Sequence, residues 1–284
     1  MGERCLVMGI LNVTPDSFDG RSSRDPAAAV EAALRMEADG ADLIDVGGES
    51  TRPGATPVQA EEELARVLPV LRALAGRVRV PLSIDTYKAG VAREALAAGA
   101  SIVNDVSGLR HDPAIGVVAA ETGAGLILTH SRGRSAEMYA QADYGDLVAE
   151  VAAELNACIG RAAAAGVACE QLILDPGIGF AKRPTDSYGV LARLHELAAA
   201  LGRPLLVGPS RKSFMREAVD DRPPAERDWG TAAAVTAAVL EGAHIVRVHA
   251  VAEMRNVVRV AEEVRRAQHP RSAAPVVWSK DRPE

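Results

Sequence analysis

The sequence predicts an α/β fold, a single (β/α)8 TIM barrel, and three observations predict it. The chain has 284 residues, and a barrel of this class takes about 250. Short apolar runs alternate with longer helix-patterned stretches along its length. Hydrophobic residues make up 48% of the chain and aromatics only 3%, so the core must be aliphatic, as in a barrel filled by branched side chains under Ala-rich helices. The domain is expected over residues 1–268. Residues 269–284 carry Pro270, Pro275 and Pro283 without periodicity and are expected as a C-terminal tail.

The elements follow in order. The first apolar run, residues 5–11, precedes a loop at 12–24 rich in Pro, Asp, Ser and Gly. Asp25-Pro26 opens a helix with an N-cap and a first-position proline, and Gly40 stands just past its end. A strand at 43–46 leads to a helix at 57–74, whose Glu61, Glu62 and Glu63 suit the helix dipole. Strands are then expected at 82–84, 102–103, 126–128, 172–174, 205–207 and 245–246. Helices are expected at 89–98, 113–121, 145–165, 188–201, in a region ending near Leu240, and at 252–267. The runs are apolar on both faces, as buried parallel strands are. Right-handed crossovers at this spacing give a parallel sheet that eight units close. A doubly wound open sheet is the alternative.

Charge and composition exclude several classes. The net charge of −6 argues against a broad nucleic-acid grip. No apolar run approaches the ~18 residues of a membrane span, and the start reads as a short strand, not a signal peptide. Cys5, Cys158 and Cys169 have no metal-type spacing and read as reduced thiols of a cytoplasmic protein.

Polar residues mark every strand end. Asn12 follows the first run, Asp45 sits near the end of the second, and Asp85 follows the third. Asn104-Asp105, Thr129-His130 and Asp175 follow the next three. Ser210, Arg211 and Lys212 lie past the seventh, and Arg247 and His249 flank the end of the eighth. Barrel enzymes draw their chemistry from these ends, so the side chains are expected to converge on one mouth. Each also has a plainer reading. Asp85 suits a helix N-cap, Asp175 a turn before Gly177, Asn12 and Asn104-Asp105 Asx-turns, and His249 an interior histidine. Asp45 reads as a buried supporting residue. Arg211 and Lys212, at the expected start of a helix, oppose its dipole unless an anion binds there. With Arg247 and Arg52 they make four cations at one mouth, which points to a phosphate or pyrophosphate. Two long loops, residues 12–20 and 47–54, are placed to close over a substrate. Gly177-Ile178-Gly179 lacks the third glycine of a dinucleotide motif, and no phosphate-binding P-loop, metal cluster or serine elbow is present.

These stretches resemble the dihydropteroate synthases, pterin-binding barrel enzymes of folate synthesis. The resemblance is carried by Met8-Gly9-Ile10-Leu11-Asn12-Val13-Thr14-Pro15-Asp16-Ser17-Phe18 and Asp45-Val46-Gly47-Gly48-Glu49-Ser50-Thr51-Arg52-Pro53-Gly54. It continues through Ser83-Ile84-Asp85-Thr86, Ile102-Val103-Asn104-Asp105 and Leu174-Asp175-Pro176-Gly177-Ile178-Gly179-Phe180. The last segments are Gly208-Pro209-Ser210-Arg211-Lys212-Ser213 and Arg247-Val248-His249. It covers residues 5–267. It implies condensation of 6-hydroxymethyl-7,8-dihydropterin pyrophosphate with p-aminobenzoate to 7,8-dihydropteroate and pyrophosphate, the pyrophosphate leaving before the aniline nitrogen attacks. Asp85, Asn104 and Asp175 would read the pterin edges, with Thr51, Lys212, Arg247, Val248 and His249 completing the pterin and pyrophosphate site. Phe18, Thr51, Arg52, Pro53, Phe180 and Ser213 would form the p-aminobenzoate site. Lys212, Arg52, Asp85 and Arg247 would carry catalysis by positioning and charge, and Asn12 would ligate Mg2+. A homodimer and sulfonamide inhibition follow from the same resemblance, while charge and the lack of a long apolar run argue against nucleic-acid or membrane partners.

The chain departs from the family pattern at three places. Phe18-Asp19-Gly20 lacks a serine before the Asp-Gly, His130-Ser131-Arg132-Gly133-Arg134 lacks a Met after the His and a Pro near its end, and Ala250 stands for a frequent Asp. Two alternatives compete: a pterin-binding paralogue without synthase activity, and a methyltetrahydrofolate–corrinoid methyltransferase. The second needs no pyrophosphate clamp.

Overall fold

The structure, a computed structural model, describes residues 4–14, 26–50, 56–133 and 138–268. Asp25 and the expected tail lie outside them. Eight strands, β1 (Leu6–Asn12), β2 (Leu43–Gly47), β3 (Leu82–Asp85), β4 (Ile102–Asp105), β5 (Gly125–Thr129), β6 (Leu172–Asp175), β7 (Leu206–Val207) and β8 (Ile245–Val248), form one parallel sheet. Neighbours in sequence pair from β1 to β6, β7 pairs with β8, and β8 returns to β1, with Met8 opposite Arg247. Between β6 and β7 the ring is closed by one bridge, Leu174 to Leu205, and by the Leu174 N–H donating to the Pro204 carbonyl at 3.0 Å. This is the (β/α)8 barrel expected from the sequence.

The helices lie between the strands: α1 (Pro26–Ala38), α2 (Ala60–Leu74), α3 (Ala89–Ala97), α4 (Ala114–Thr122), α5 (Leu147–Ala164), α6 (Pro184–Ala192), α7 (Leu194–Leu201), α8 (Asp228–Leu240) and α9 (Val251–Gln268). Two regions differ from expectation. The helix expected at 188–201 starts earlier, because Pro184 occupies its first turn and the Asp186 carboxylate accepts the Arg183 N–H at 2.9 Å. It also breaks at Arg193, whose φ of −123° and ψ of 25° are not helical. After β7 the chain makes three 3-10 turns before α8 begins at Asp228. Arg211 and Lys212 therefore do not start an α-helix, and no helix dipole opposes them.

The strand pleat divides the core in two. Met8, Leu43, Ile127, Ile173, Leu206 and Ile245 fill the barrel interior. The alternate residues, such as Leu11, Ile44, Ile84, Val103, Leu128, Leu174, Val246 and Val248, pack outward under the helices. Truncating a Leu, Ile or Met among them to Ala costs about 2–5 kcal/mol. The same two-residue alternation decides which polar side chains reach the mouth.

Candidate active site

Continuing the interior face along each strand leads to Asn12 on β1, Asp45 on β2, Asp85 on β3, Asn104 on β4, Asp175 on β6 and Arg247 on β8. Register places Asn12 opposite Gly47, Gly47 opposite Asp85, and Asp85 opposite Asn104. Asp45, Asp85, Asn104 and Asp175 are all buried.

Arg247 ties the cluster together across the barrel. Its Nε donates to Asp45 Oδ2 at 2.6 Å and its Nη2 to Asp85 Oδ2 at 2.7 Å. Asn104 Nδ2 donates to the same Asp45 oxygen at 2.9 Å. Asp45 is thus the buried support that holds both Arg247 and Asn104 in place. Among the described residues, Asp45 Oδ1, Asp85 Oδ1, Asn104 Oδ1 and Ser83 Oγ have no hydrogen-bond partner. A buried acceptor without a donor costs about 1–3 kcal/mol. Several of them on one interior face make a surface ready for a flat ligand with N–H donors on its edges.

Asp85 does not cap a helix, since the first N–H of α3, on Ala89, is taken by Asp112 Oδ2 at 2.8 Å. Asp105 faces away from the interior and builds the expected Asx-turn, accepting the N–H groups of Ser107 and Leu109 at 2.8 and 2.6 Å. Asp175 combines both readings: its Oδ1 accepts the Gly177 N–H at 2.7 Å. Gly177 has φ +71°, and a Cβ there would lie 2.0 Å from the His130 carbonyl oxygen, so this turn admits no side chain.

Lys212 reaches in from the β7 loop. Its ammonium donates to the Ile178 carbonyl at 2.5 Å and lies 4.3 Å from the centre of the Phe180 ring. Ser210 Oγ lies 2.9 Å from His249 Nδ1 and accepts the His249 N–H at 3.2 Å, joining the β7 and β8 loops. Ser213 is exposed, 3.4 Å from the hydroxyl of Tyr139. Arg211 turns elsewhere, with Nε and Nη2 each 2.8 Å from the Asp228 carboxylate. It is not available as an unpaired cation, and that correction reduces the expected quartet. Phe18, Thr51, Arg52 and Pro53 lie outside the described residues. The Val248 side chain points into the outer core and is fully buried, so only its backbone can meet a ligand.

Burial sets the electrostatics. It pushes the Asp85 carboxyl up to about 7 against the pull of Arg247, with Asp45 and Glu63 adding to the rise. Asp175 rises for the same reason, opposed chiefly by Lys212. Burial draws Lys212 down to about 8. Arg247 is desolvated too, but Asp45 and Asp85 hold it firmly charged. The result is a buried pocket of carboxylates, an amide and two cations placed to face a polar, charged ligand. Among the described residues no group of three His, Cys, Asp or Glu side chains is gathered as a metal cluster.

Sequence reasoning gave Asp45 the smallest part and did not single out Lys182. Lys182 is only 1% exposed, yet its local sequence, Phe180-Ala181-Lys182-Arg183, reads as a solvated loop.

Comparison with known proteins places this geometry. Residues 8–249 match the family model described as pterin binding enzyme. The dihydropteroate synthase of Synechocystis is 49% identical, over 92% of this chain and 90% of its own, and that of Bacillus subtilis 45% identical, over 92% and 87%. Among solved structures, Yersinia pestis dihydropteroate synthase with a sulfonamide drug complex superposes with a TM-score of 0.87 at 44% identity, covering 92% of this chain and 94% of that one. The Xanthomonas albilineans enzyme in complex with 7,8-dihydropteroate gives 0.83 at 40%, covering 92% and 94%. The barrel, its polar mouth and these likenesses over nine-tenths of the chain agree: the chain belongs to the pterin-binding enzyme family, among the dihydropteroate synthases, transferases of folate biosynthesis.

Proposed function

We propose that the mouth condenses 6-hydroxymethyl-7,8-dihydropterin pyrophosphate with p-aminobenzoate, releasing pyrophosphate and 7,8-dihydropteroate. The observation that carries this division of labour is the set of buried, unpartnered acceptors on Asp85 and Asn104 beside Asp175. Asp175 accepts two ring N–H donors, and Asp85 and Asn104 read the neighbouring edges. Lys212 bonds the ring on its carbonyl side, exchanging the Ile178 carbonyl for it. Arg247, His249 and the backbone at Val248 face the pyrophosphate. Pyrophosphate leaves first, giving a cation at the exocyclic methylene that the ring stabilises, and the aniline nitrogen then attacks. No protein nucleophile takes part, so the protein contributes orientation and charge stabilisation. Thr51, Arg52, Pro53 and Phe18 complete the p-aminobenzoate end, with Phe180 and Ser213 as its floor. Solved relatives bind a sulfonamide and 4-aminobenzoic acid, and the same inhibition by sulfonamides is proposed here.

Asn12 fits Mg2+ only in part. It ends β1, one strand from Arg247, and offers a single amide oxygen, so the ion would share its remaining positions with water and the diphosphate. The ion would then neutralise charge on the leaving group. A cytoplasmic location agrees with three free cysteines, and no helix among the described residues is long and apolar enough to cross a membrane. Val260 and Val264, exposed on α9 at 66% and 44%, support a homodimer through the outer helices.

Turnover tests the proposal: purified protein with Mg2+ and both substrates forms dihydropteroate. Binding of the pterin pyrophosphate without turnover would make the chain a non-catalytic paralogue. Arg52→Ala raises KM for p-aminobenzoate more than it weakens pterin binding, and equal losses would contradict the assignment of the two ends.

A further inference from the structure

Just past the ends of β5 and β6, next to Asp175, lies a buried chain of titratable groups to which the condensation gives no role. Lys182 Nζ is 2.7 Å from His130 Nδ1 and 3.3 Å from the Phe180 carbonyl oxygen. His130 is fully buried, and its Nε2 lies 3.2 Å from Glu154 Oε2, within ion-pair range though off the angle of a good hydrogen bond. Arg132 holds Glu154 at 2.5 Å and Glu150 at 2.7 Å, and its guanidinium stacks 4.1 Å from the Tyr144 ring centre. The Tyr144 hydroxyl donates to the Ala181 carbonyl at 2.8 Å. The His130 N–H donates to the Asp175 carbonyl at 2.8 Å. The segment from Asp175 to Ala181, which leads into Lys182, is therefore stitched at both its ends to the chain that follows β5.

Two nitrogens 2.7 Å apart cannot both carry a positive charge in a dry interior. With Lys182 as the ammonium donor, His130 must be neutral, its Nδ1 lone pair accepting and its proton on Nε2 toward Glu154. Burial drives His130 down to about 4 and Lys182 only to about 7, so the shared proton sits on the lysine rather than the histidine, and Lys182 is charged on the acid side of neutrality. The groups that act on Lys182 come from every side: Asp175 on β6, Lys212 after β7, His130 and Arg132 after β5, Tyr144 before α5 and Glu154 on α5. Only Asp175 among them both faces the mouth and needs a negative charge to work. Burial favours its neutral acid, and Lys212, the Gly177 N–H, Arg247 and, after them, Lys182 oppose this.

We propose that Lys182 is a positioning residue of the pterin site: its buried ammonium, held by His130 and the Phe180 carbonyl, keeps Asp175 ionised so that it accepts the ring N–H donors. The inference rests on the mouth being the pterin site. Lys182 touches no substrate in it.

The test is calorimetric titration of the full-length protein with 6-hydroxymethylpterin, which carries no phosphate, between pH 5 and 9. In the wild type, affinity falls on the acid side as Asp175 takes up a proton. Lys182→Met moves that acid limb up by about one pH unit, weakening binding at the acid end about tenfold, and Lys182→Arg moves it back. A limb that stays in place, or a loss equal at every pH, overturns the proposal. Should Lys182→Met fail to fold, Lys182→Gln keeps a donor toward His130 Nδ1 and the Phe180 carbonyl without the charge. The acid limb then moves up as for Lys182→Met, and an unmoved limb likewise overturns the proposal. A wild type that does not bind the ring at all sinks the pterin reading instead, so the two failures are distinct.

Discussion

The two ends of the barrel use the same residue types to opposite effect. At the end where strands begin, polar side chains are consumed by the fold. Asp42 accepts the Val7 N–H at 2.9 Å and both arms of Arg4, and Glu37 accepts the N–H groups of Arg79 and Val80 at 2.6 and 3.2 Å. Gln171 donates to the carbonyls of Ala119 and Ala124, and Glu262 accepts the Cys5 N–H. At the end where strands finish, Asp45, Asp85 and Asn104 each keep a buried oxygen without a donor. One end satisfies its polar atoms to fasten loops. The other leaves them available and holds them in position with a single arginine. The asymmetry follows the fold's division of labour, in which the face where strands begin serves stability and the face where they end serves chemistry.

Four measurements break or sharpen that contrast. The largest effect is expected at the open end: Asp175→Asn removes a charged acceptor and weakens pterin binding about 100-fold. Unchanged affinity by calorimetry would refute the role given to it. At the fastened end, Asp42→Ala costs about 1–3 kcal/mol in chemical denaturation and leaves pterin affinity intact, whereas a parallel loss of affinity would erase the distinction between the ends. The third effect concerns pH. Asp85 is raised from 3.8 to about 7 in the folded protein. Through that window the folded state holds a proton that the unfolded chain has released, so stability is highest below it and falls as pH rises. The melting temperature of ligand-free protein should therefore decline across this range, and Asp85→Asn should flatten the decline; a slope just as steep in that variant places the titration on other groups. The smallest effect is expected for Arg211→Ala. Its half-exposed pair with Asp228 contributes about 1 kcal/mol or less, and KM for the pterin pyrophosphate should barely move, in contrast to Lys212→Ala.

Much of the fold was legible because burial in a parallel sheet forces continuous apolar runs, and Ile127, Ile173 and Leu206 sit in such runs. What the runs do not reveal is parity. Val248 and His249 are adjacent in sequence, yet the pleat sends Val248 outward and leaves His249 beside Ser210. The stretch after β7 reads as one helix from composition, but Pro223 and Pro224 and the left-handed residues Arg211, Asp220 and Asp221 break it into turns. The supporting residues were hardest to see. Asp45 is recognisable as important only once Arg247, 202 residues away, is found against it. Lys182 is buried by Tyr144 and His130, both distant in sequence, and nothing in its own neighbourhood signals that.

The seam between β6 and β7 has a mechanical consequence. Seven of the eight strand junctions are ladders, whereas this one is a single bridge beside a strand of two residues. Asp175 stands on one bank of it and Lys212 follows the other. Slow amide exchange should be lost there before anywhere else in the sheet, and small excursions of this joint would widen or narrow the gap between an acid and a base that must grip the same ring. The ring's most elastic hoop stave thus lies under its most demanding contact.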